Sequence, residues 1–168
     1  MNISTIKVCN TSNGVGVRTS IFVTGCRHAC KGCFNRGIWS KNSGEPYTDE
    51  HKSRILSSLQ PRHVAGLSLL GGEPMEYYNV PELIELCKEV RELYPNKDIW
   101  VYSGYTYEQI LQDELQLELL KLCDVLIDGK YVEELYSPLL RFRGSSNQRV
   151  IDIQQSLKDG QIVPYFEG

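Results

Sequence analysis

The chain has 168 residues, of which 41% are hydrophobic and 23% charged. Those proportions exclude a disordered or fibrous chain, and the length suits one domain over 1–168 while falling short of a complete eight-stranded α/β barrel. A net charge of −3 supplies no broad basic face for neutralising phosphates, so nucleic acid is not an expected partner.

The opening MNISTIKVCN lacks the basic flank and apolar run of an export signal, and no later stretch nears 18 uninterrupted apolar residues; neither a membrane nor secretion is expected. Without secretion, Asn2-Ile3-Ser4 and Asn10-Thr11-Ser12 carry no sugar. Gly14-Val15-Gly16-Val17-Arg18 lacks the third glycine of a dinucleotide loop and precedes a strand where that loop needs a helix. It reads either as a flexible lead-in or as a segment near a partner surface.

Residues 18–24 mix β-branched and aromatic side chains and stop at Gly25, which predicts a strand ending in a turn. Thr48-Asp49-Glu50 opens a helix to Leu59, and 66–70 (GLSLL) is a short apolar run halted by Gly71-Gly72, as in a buried strand. Pro81 suits the first turn of a helix reaching about Tyr94, with Leu83, Ile84, Cys87, Val90 and Leu93 on one face. A strand follows over 98–102, a mostly helical stretch over 107–122 and a strand over 125–127. Alternating strands and helices predict an α/β fold with a mostly parallel sheet and helices outside, and ligands in such folds gather at the carboxyl ends of the strands.

Those ends carry the unusual residues. After the first predicted strand comes Cys26-Arg27-His28-Ala29-Cys30-Lys31-Gly32-Cys33, a C-x3-C-x2-C loop. Three thiolates so spaced wrap one face of an iron-sulfur cube and leave one iron open. Two other readings stay open on spacing alone. His28 or Cys9 completes a structural zinc site, although the paired C-x2-C arrangement is missing. Cys30 and Cys33 form a redox dithiol, which leaves Cys26 unexplained. Six cysteines without an export signal indicate reduced thiols and a cytoplasmic chain. Cys9, Cys87 and Cys123 lie among apolar neighbours and read as buried hydrophobes, and His51 and His63 as surface residues.

At the next strand end, Gly71-Gly72-Glu73-Pro74 is by itself an ordinary turn; beside a cluster loop its glycines let main-chain acceptors approach an ammonium group. Tyr102-Ser103-Gly104-Tyr105-Thr106 offers hydroxyls for a ribose or carboxylate, or simply a turn with Thr106 capping the next helix. The segment 142–149 (FRGSSNQR) is dense in donors, either as a solvated loop or as a contact surface.

Taken with Phe34-Asn35, Asp124-Val125-Leu126-Ile127-Asp128-Gly129 and 143–149, these motifs resemble the activating enzymes of the anaerobic (class III) ribonucleoside-triphosphate reductase, of the radical S-adenosylmethionine (SAM) superfamily. The resemblance covers most of the length; Asn13-Gly14-Val15-Gly16 departs from it, where relatives have Asp-Gly followed by Glu or Pro and Gly. It implies an incomplete radical SAM βα barrel with a 4Fe-4S cluster on Cys26, Cys30 and Cys33. It further implies SAM at the fourth iron, bordered by Gly32, Cys33, Phe34, Gly71, Gly72, Glu73 and Ser103. SAM cleavage to a 5'-deoxyadenosyl radical, which takes hydrogen from a glycine of the reductase large subunit, is the implied activity, with electrons from a donor such as flavodoxin. Arg143 and Arg149 are expected at the docking surface. The same family pattern leaves room for another glycyl-radical target, and the cysteines alone for a non-catalytic zinc module.

Overall fold

Short β-branched runs alternating with amphipathic stretches fold into an α/β unit around one mixed sheet. In the computed structural model, which describes residues 1–166, seven strands lie in the order β3-β1-β2-β4-β5-β6-β7. They are β1 (Asn2–Asn10), β2 (Val17–Val23), β3 (Glu45–Pro46), β4 (Val64–Gly71), β5 (Asp98–Tyr102), β6 (Val125–Asp128) and β7 (Arg149–Asp152). The central four, β2, β4, β5 and β6, run parallel. β1, β3 and β7 are antiparallel additions at the edges, so the sheet is mixed where a mostly parallel one was expected.

Five helices accompany it: α1 (Asp49–Ser58), α2 (Val80–Leu93), α3 (Tyr107–Leu111), α4 (Glu114–Lys121) and α5 (Ile153–Asp159). The predicted stretch 107–122 is broken in two because Asp113 turns out of the helix and caps α4, accepting from the Gln116 amide. Thr48 and Thr106 close capping boxes on α1 and α3.

The strand β1 and the tail β7–α5 have no counterpart in the predicted elements. Only Ile3 and Ile6 of β1 are buried, and a bulge between Ile3 and Thr5 breaks the period-2 alternation by which a strand is recognised. Cys9, expected in the core, is exposed at φ 54°, where a second register shift between Lys7 and Asn10 bends β1 away. Cys87 and Cys123 are buried as expected. His51 is more than a surface residue: its ring accepts from the Thr48 amide and meets Glu45 at 2.9 Å.

Two cores flank the sheet. One holds α2, α4 and the outward strand residues, including Leu67, Leu69, Leu86 and Ile99. The other is built on Trp100, Val125 and Ile127, with Tyr102, Phe142, Val150 and Phe166 packed against it. Arg18, wholly buried, shares this inner face: it donates to Ser68 Oγ at 2.8 Å and lies 5.3 Å from the Trp100 ring. Among the described residues no helix is long and apolar enough to cross a membrane.

Candidate cluster site

All four parallel strands deliver residues to one cavity of about 430 Å³ at their carboxyl ends. β2 leads to Cys26, His28, Cys30 and Cys33; β4 to Gly71, Gly72 and Glu73; β5 to Ser103 and Gly104; β6 to Gly129. Phe34, Tyr102, Tyr131, Phe142, Arg143 and Gln148 are also in the wall.

The cysteine loop is fastened from both sides. Gly25 and Cys26 donate to the carbonyls of Ile38 and Trp39 at 2.7 and 2.8 Å, and the Gly25 carbonyl accepts from Glu73 N at 2.7 Å. Asn35 Nδ2 donates to the Gly71 carbonyl at 2.8 Å while its amide donates to Cys33 Sγ at 3.4 Å. Ala29, between the first two cysteines, adopts φ 51°, a conformation costly for a residue with a Cβ and held by its surroundings. This curl turns three thiols to one mouth. All three are free and partly exposed.

Burial, and after it the neighbouring Glu73, Cys30 and Cys33, pushes the Cys26 thiol up to about 12; Cys30 is raised as well, chiefly by burial. Protons therefore sit on these sulfurs until a cation displaces them, which is how iron or zinc takes thiolate ligands. Among the described residues no three His, Cys, Asp or Glu side chains gather closely enough for a single metal ion. Zinc needs four donors about 2.0–2.3 Å from one centre, whereas an iron-sulfur cube seats each thiolate on a different iron. The donor set fits the cluster better.

Glu73 is the hub of the site. Its buried carboxylate lies 2.7 Å from His28 Nε2 and accepts from Gly104 N at 2.7 Å, Ser103 Oγ at 2.9 Å and Met75 N at 2.9 Å. Four partners match the capacity of a carboxylate, so Glu73 and the Ser103 hydroxyl are committed to holding three strand ends together. Asn79 adds donations to the carbonyls of Thr24 and Glu73. The Tyr102 hydroxyl, by contrast, is buried in the cavity wall with no partner.

Of the other residues expected here, Gly32 sits in the cysteine loop with Glu133 beside it. Phe34 is 74% exposed at the rim, near Tyr131 and Tyr136 at 5.5 and 6.1 Å between rings. Arg143 lines the cavity and donates to the carbonyls of Gln148 and Ser146. Arg149 lies outside the cavity lining: it spans Asp128, which is buried, and Glu108, at 2.5–3.0 Å. Sequence reasoning gave no role to Asn79 or Tyr131, and read Gln148 only as part of the 142–149 segment. Single polar or aromatic residues outside a motif leave no periodic or spacing signal.

The profile of a family described as a 4Fe-4S single cluster domain matches residues 12–151. A protein of Salmonella typhi is 42% identical over 140 residues, 82% of this chain and 90% of its own length. One of Enterobacteria phage T4 is 42% identical over 150 residues, 89% and 93% of the two chains, and one of Vibrio cholerae 44% over 138 residues, 81% and 88%. Each is named anaerobic ribonucleoside-triphosphate reductase-activating protein. The chain belongs to this family of activating proteins. The matched span takes in every strand end of the cavity, from Cys26 to Gly129.

Proposed function

We propose that this chain is a glycyl-radical activating enzyme, an incomplete radical SAM βα barrel formed by 1–168 as one domain, acting on the large subunit of an anaerobic ribonucleotide reductase. The observation that carries this reading is the meeting of three free thiols after β2 with the glycine-bearing ends of β4, β5 and β6 in one cavity. The names of the relatives favour the reductase over other glycyl-radical proteins.

Cys26, Cys30 and Cys33 would hold three irons of the cluster, leaving the fourth open to SAM. The Gly71 carbonyl already accepts from Asn35, which leaves its second lone pair and the Gly72 carbonyl for the ammonium. The main chain of Gly32–Phe34 borders the adenine. With one electron from a donor such as flavodoxin, the cluster supplies the cleavage of SAM to methionine and a 5'-deoxyadenosyl radical, which takes a hydrogen atom from the partner's glycine.

A primary carbon radical must be kept from dioxygen and from stray hydrogen donors, side reactions that a closed site prevents. Exposed Phe34 lines the cavity and exposed Tyr136 lies beside it, apolar surface that the reductase covers when its glycine loop enters.

Anaerobic reconstitution with iron, sulfide, SAM and a reductant tests the whole reading. Expected are a brown protein with about four irons, 5'-deoxyadenosine as product, and a glycyl radical on added reductase. Cys30→Ala abolishes all three. A colourless protein holding about one zinc, or one that leaves SAM intact with and without the reductase, overturns it.

A further inference from the structure

A strip of surface beside the cysteine loop belongs to neither core and lines no part of the cavity. Residues 24–44 carry four of the chain's 18 Lys and Arg (Arg27, Lys31, Arg36 and Lys41) and none of its 21 Asp and Glu. Three of these cations lie over aromatic faces. Arg27 is 5.9 Å from the Tyr77 ring, Lys41 is 5.6 Å from Tyr78, and Arg36 is 5.4 Å from Trp39. The rings of Tyr77 and Tyr78 meet edge to face at 5.0 Å, so Arg27, Tyr77, Tyr78 and Lys41 are continuous. The bond from Cys26 N to the Trp39 carbonyl joins the Arg36–Trp39 corner to them.

Arg27, Arg36, Lys41 and Tyr77 are exposed, Tyr77 by 60%. Arg27 is paired with the buried Glu76 at 2.8 Å, whereas Arg36 and Lys41 have no ion pair among the described residues. Lys31 faces Glu133 and Glu134 at 3.8 and 3.9 Å and is not counted. The strip also reaches the cluster ligands: a Cβ on Gly25 would fall 2.2 Å from the Tyr78 hydroxyl, so that ring rests on the residue next to Cys26.

This inference rests on the radical reading, in which the cluster takes up one electron for each SAM cleaved. We propose that the strip seats an acidic one-electron donor protein, so that the electron arrives beside Cys26 from outside while the reductase occupies the cavity. Arginines beside aromatic rings are enriched at interfaces, and the exposed cations complement an acidic partner. A donor on the cavity side would have to leave before the reductase could close it.

The test uses the reconstituted holoenzyme with reduced flavodoxin, a small acidic flavoprotein, following loss of the cluster's visible absorbance by stopped flow. Arg36→Glu/Lys41→Glu is compared with Lys158→Glu, a charge reversal on the remote α5. At low ionic strength the double variant is expected to be reduced about tenfold more slowly than wild type, as lost steering predicts. The gap closes in about 1 M salt, where charges are screened beyond about 3 Å. Lys158→Glu matches wild type, and photoreduced deazariboflavin, an uncharged donor, reduces all three alike.

Wild-type rates for the double variant with flavodoxin at low salt overturn the proposal. So does equal slowing with deazariboflavin, which would place the defect in the cluster. If wild type accepts the electron yet cleaves no SAM, the radical reading falls and the strip's result stands.

Discussion

Two residues fix the geometry that the chemistry needs. Glu73→Gln keeps the volume of the side chain but turns one acceptor oxygen into an NH2 group facing donors. At least one of Ser103 Oγ, Gly104 N, Met75 N and His28 then loses its partner, at about 1–3 kcal/mol for a buried unsatisfied group. Urea unfolding of the apo chain should show a loss of about 2 kcal/mol, with weaker SAM binding at unchanged iron content; unaltered stability and affinity would remove Glu73 from its place as hub. Gly71 is constrained more sharply. Its φ of +133° is closed to a residue with a Cβ, and that atom would lie 2.2 Å from the Val23 carbonyl. Since the obstacle is backbone of the neighbouring strand, Gly71→Ala should part β2 from β4 at the site. We expect a loss of more than about 3 kcal/mol, beyond the usual cost of one strained residue, and soluble protein with wild-type thermal stability would contradict it.

At the level of elements, α3 shows how a short helix is held in place. Five residues are too few to be stable alone, so it depends on the Thr106 cap, on Asp128 accepting from Tyr107 N at 2.8 Å and on Glu108 gripping Arg149 of β7 at 2.7–3.0 Å. The Arg149 hydrogen bonds hold the Glu108 carboxyl below its usual range. The sign follows: the contribution is complete above the ordinary carboxylate pKa and disappears as pH falls through the lowered one, Arg149 staying charged throughout. Urea midpoints of wild type should therefore exceed those of Glu108→Gln at pH 7 and converge with them on the acid side. A gap independent of pH would dissociate it from this ion pair. Arg149→Ala is a harsher change, because Asp128 is left buried without its cation. It should cost about 2 kcal/mol, less than the loss of a fully buried pair since Arg149 is partly exposed. Weakened reductase docking in that variant has to be judged against its stability. This network explains why 143–149 reads in sequence as a solvated or docking loop: an arginine that closes β7 onto β6 looks the same in one dimension as an arginine awaiting a partner. The parallel strands and their helices were legible because hydrophobic runs and caps are local; β1 was hidden by its bulge, and β7, no shorter than β6, by half-exposed side chains that leave no continuous apolar run.

For the molecule as a whole, the site was legible as a set of strand ends but not as a network. Spacing located Cys26, Cys30 and Cys33, and the α/β pattern located the glycines. The bonds among Glu73, His28, Ser103 and Gly104 join positions up to 45 residues apart, and no local signal carries that. The same holds for the two cores. The outer one follows from helix periodicity, whereas the inner one recruits Phe142 and Phe166 from irregular chain around Trp100. This division makes a separable prediction. Leu86→Ala, wholly within the outer core, should cost about 2–5 kcal/mol and leave SAM affinity of the surviving folded enzyme unchanged. Trp100→Ala should cost as much or more, since about 3–5 kcal/mol is usual for a buried aromatic. It should also loosen Arg18, which lies over the Trp100 ring, and Phe142, edge-on to it at 5.3 Å. Phe142 lines the cavity, so SAM affinity, measured by equilibrium binding to the anaerobic holoenzyme, should fall with Trp100→Ala. Equal affinities in the two variants would mean that the inner core supports the sheet without shaping the site it encloses.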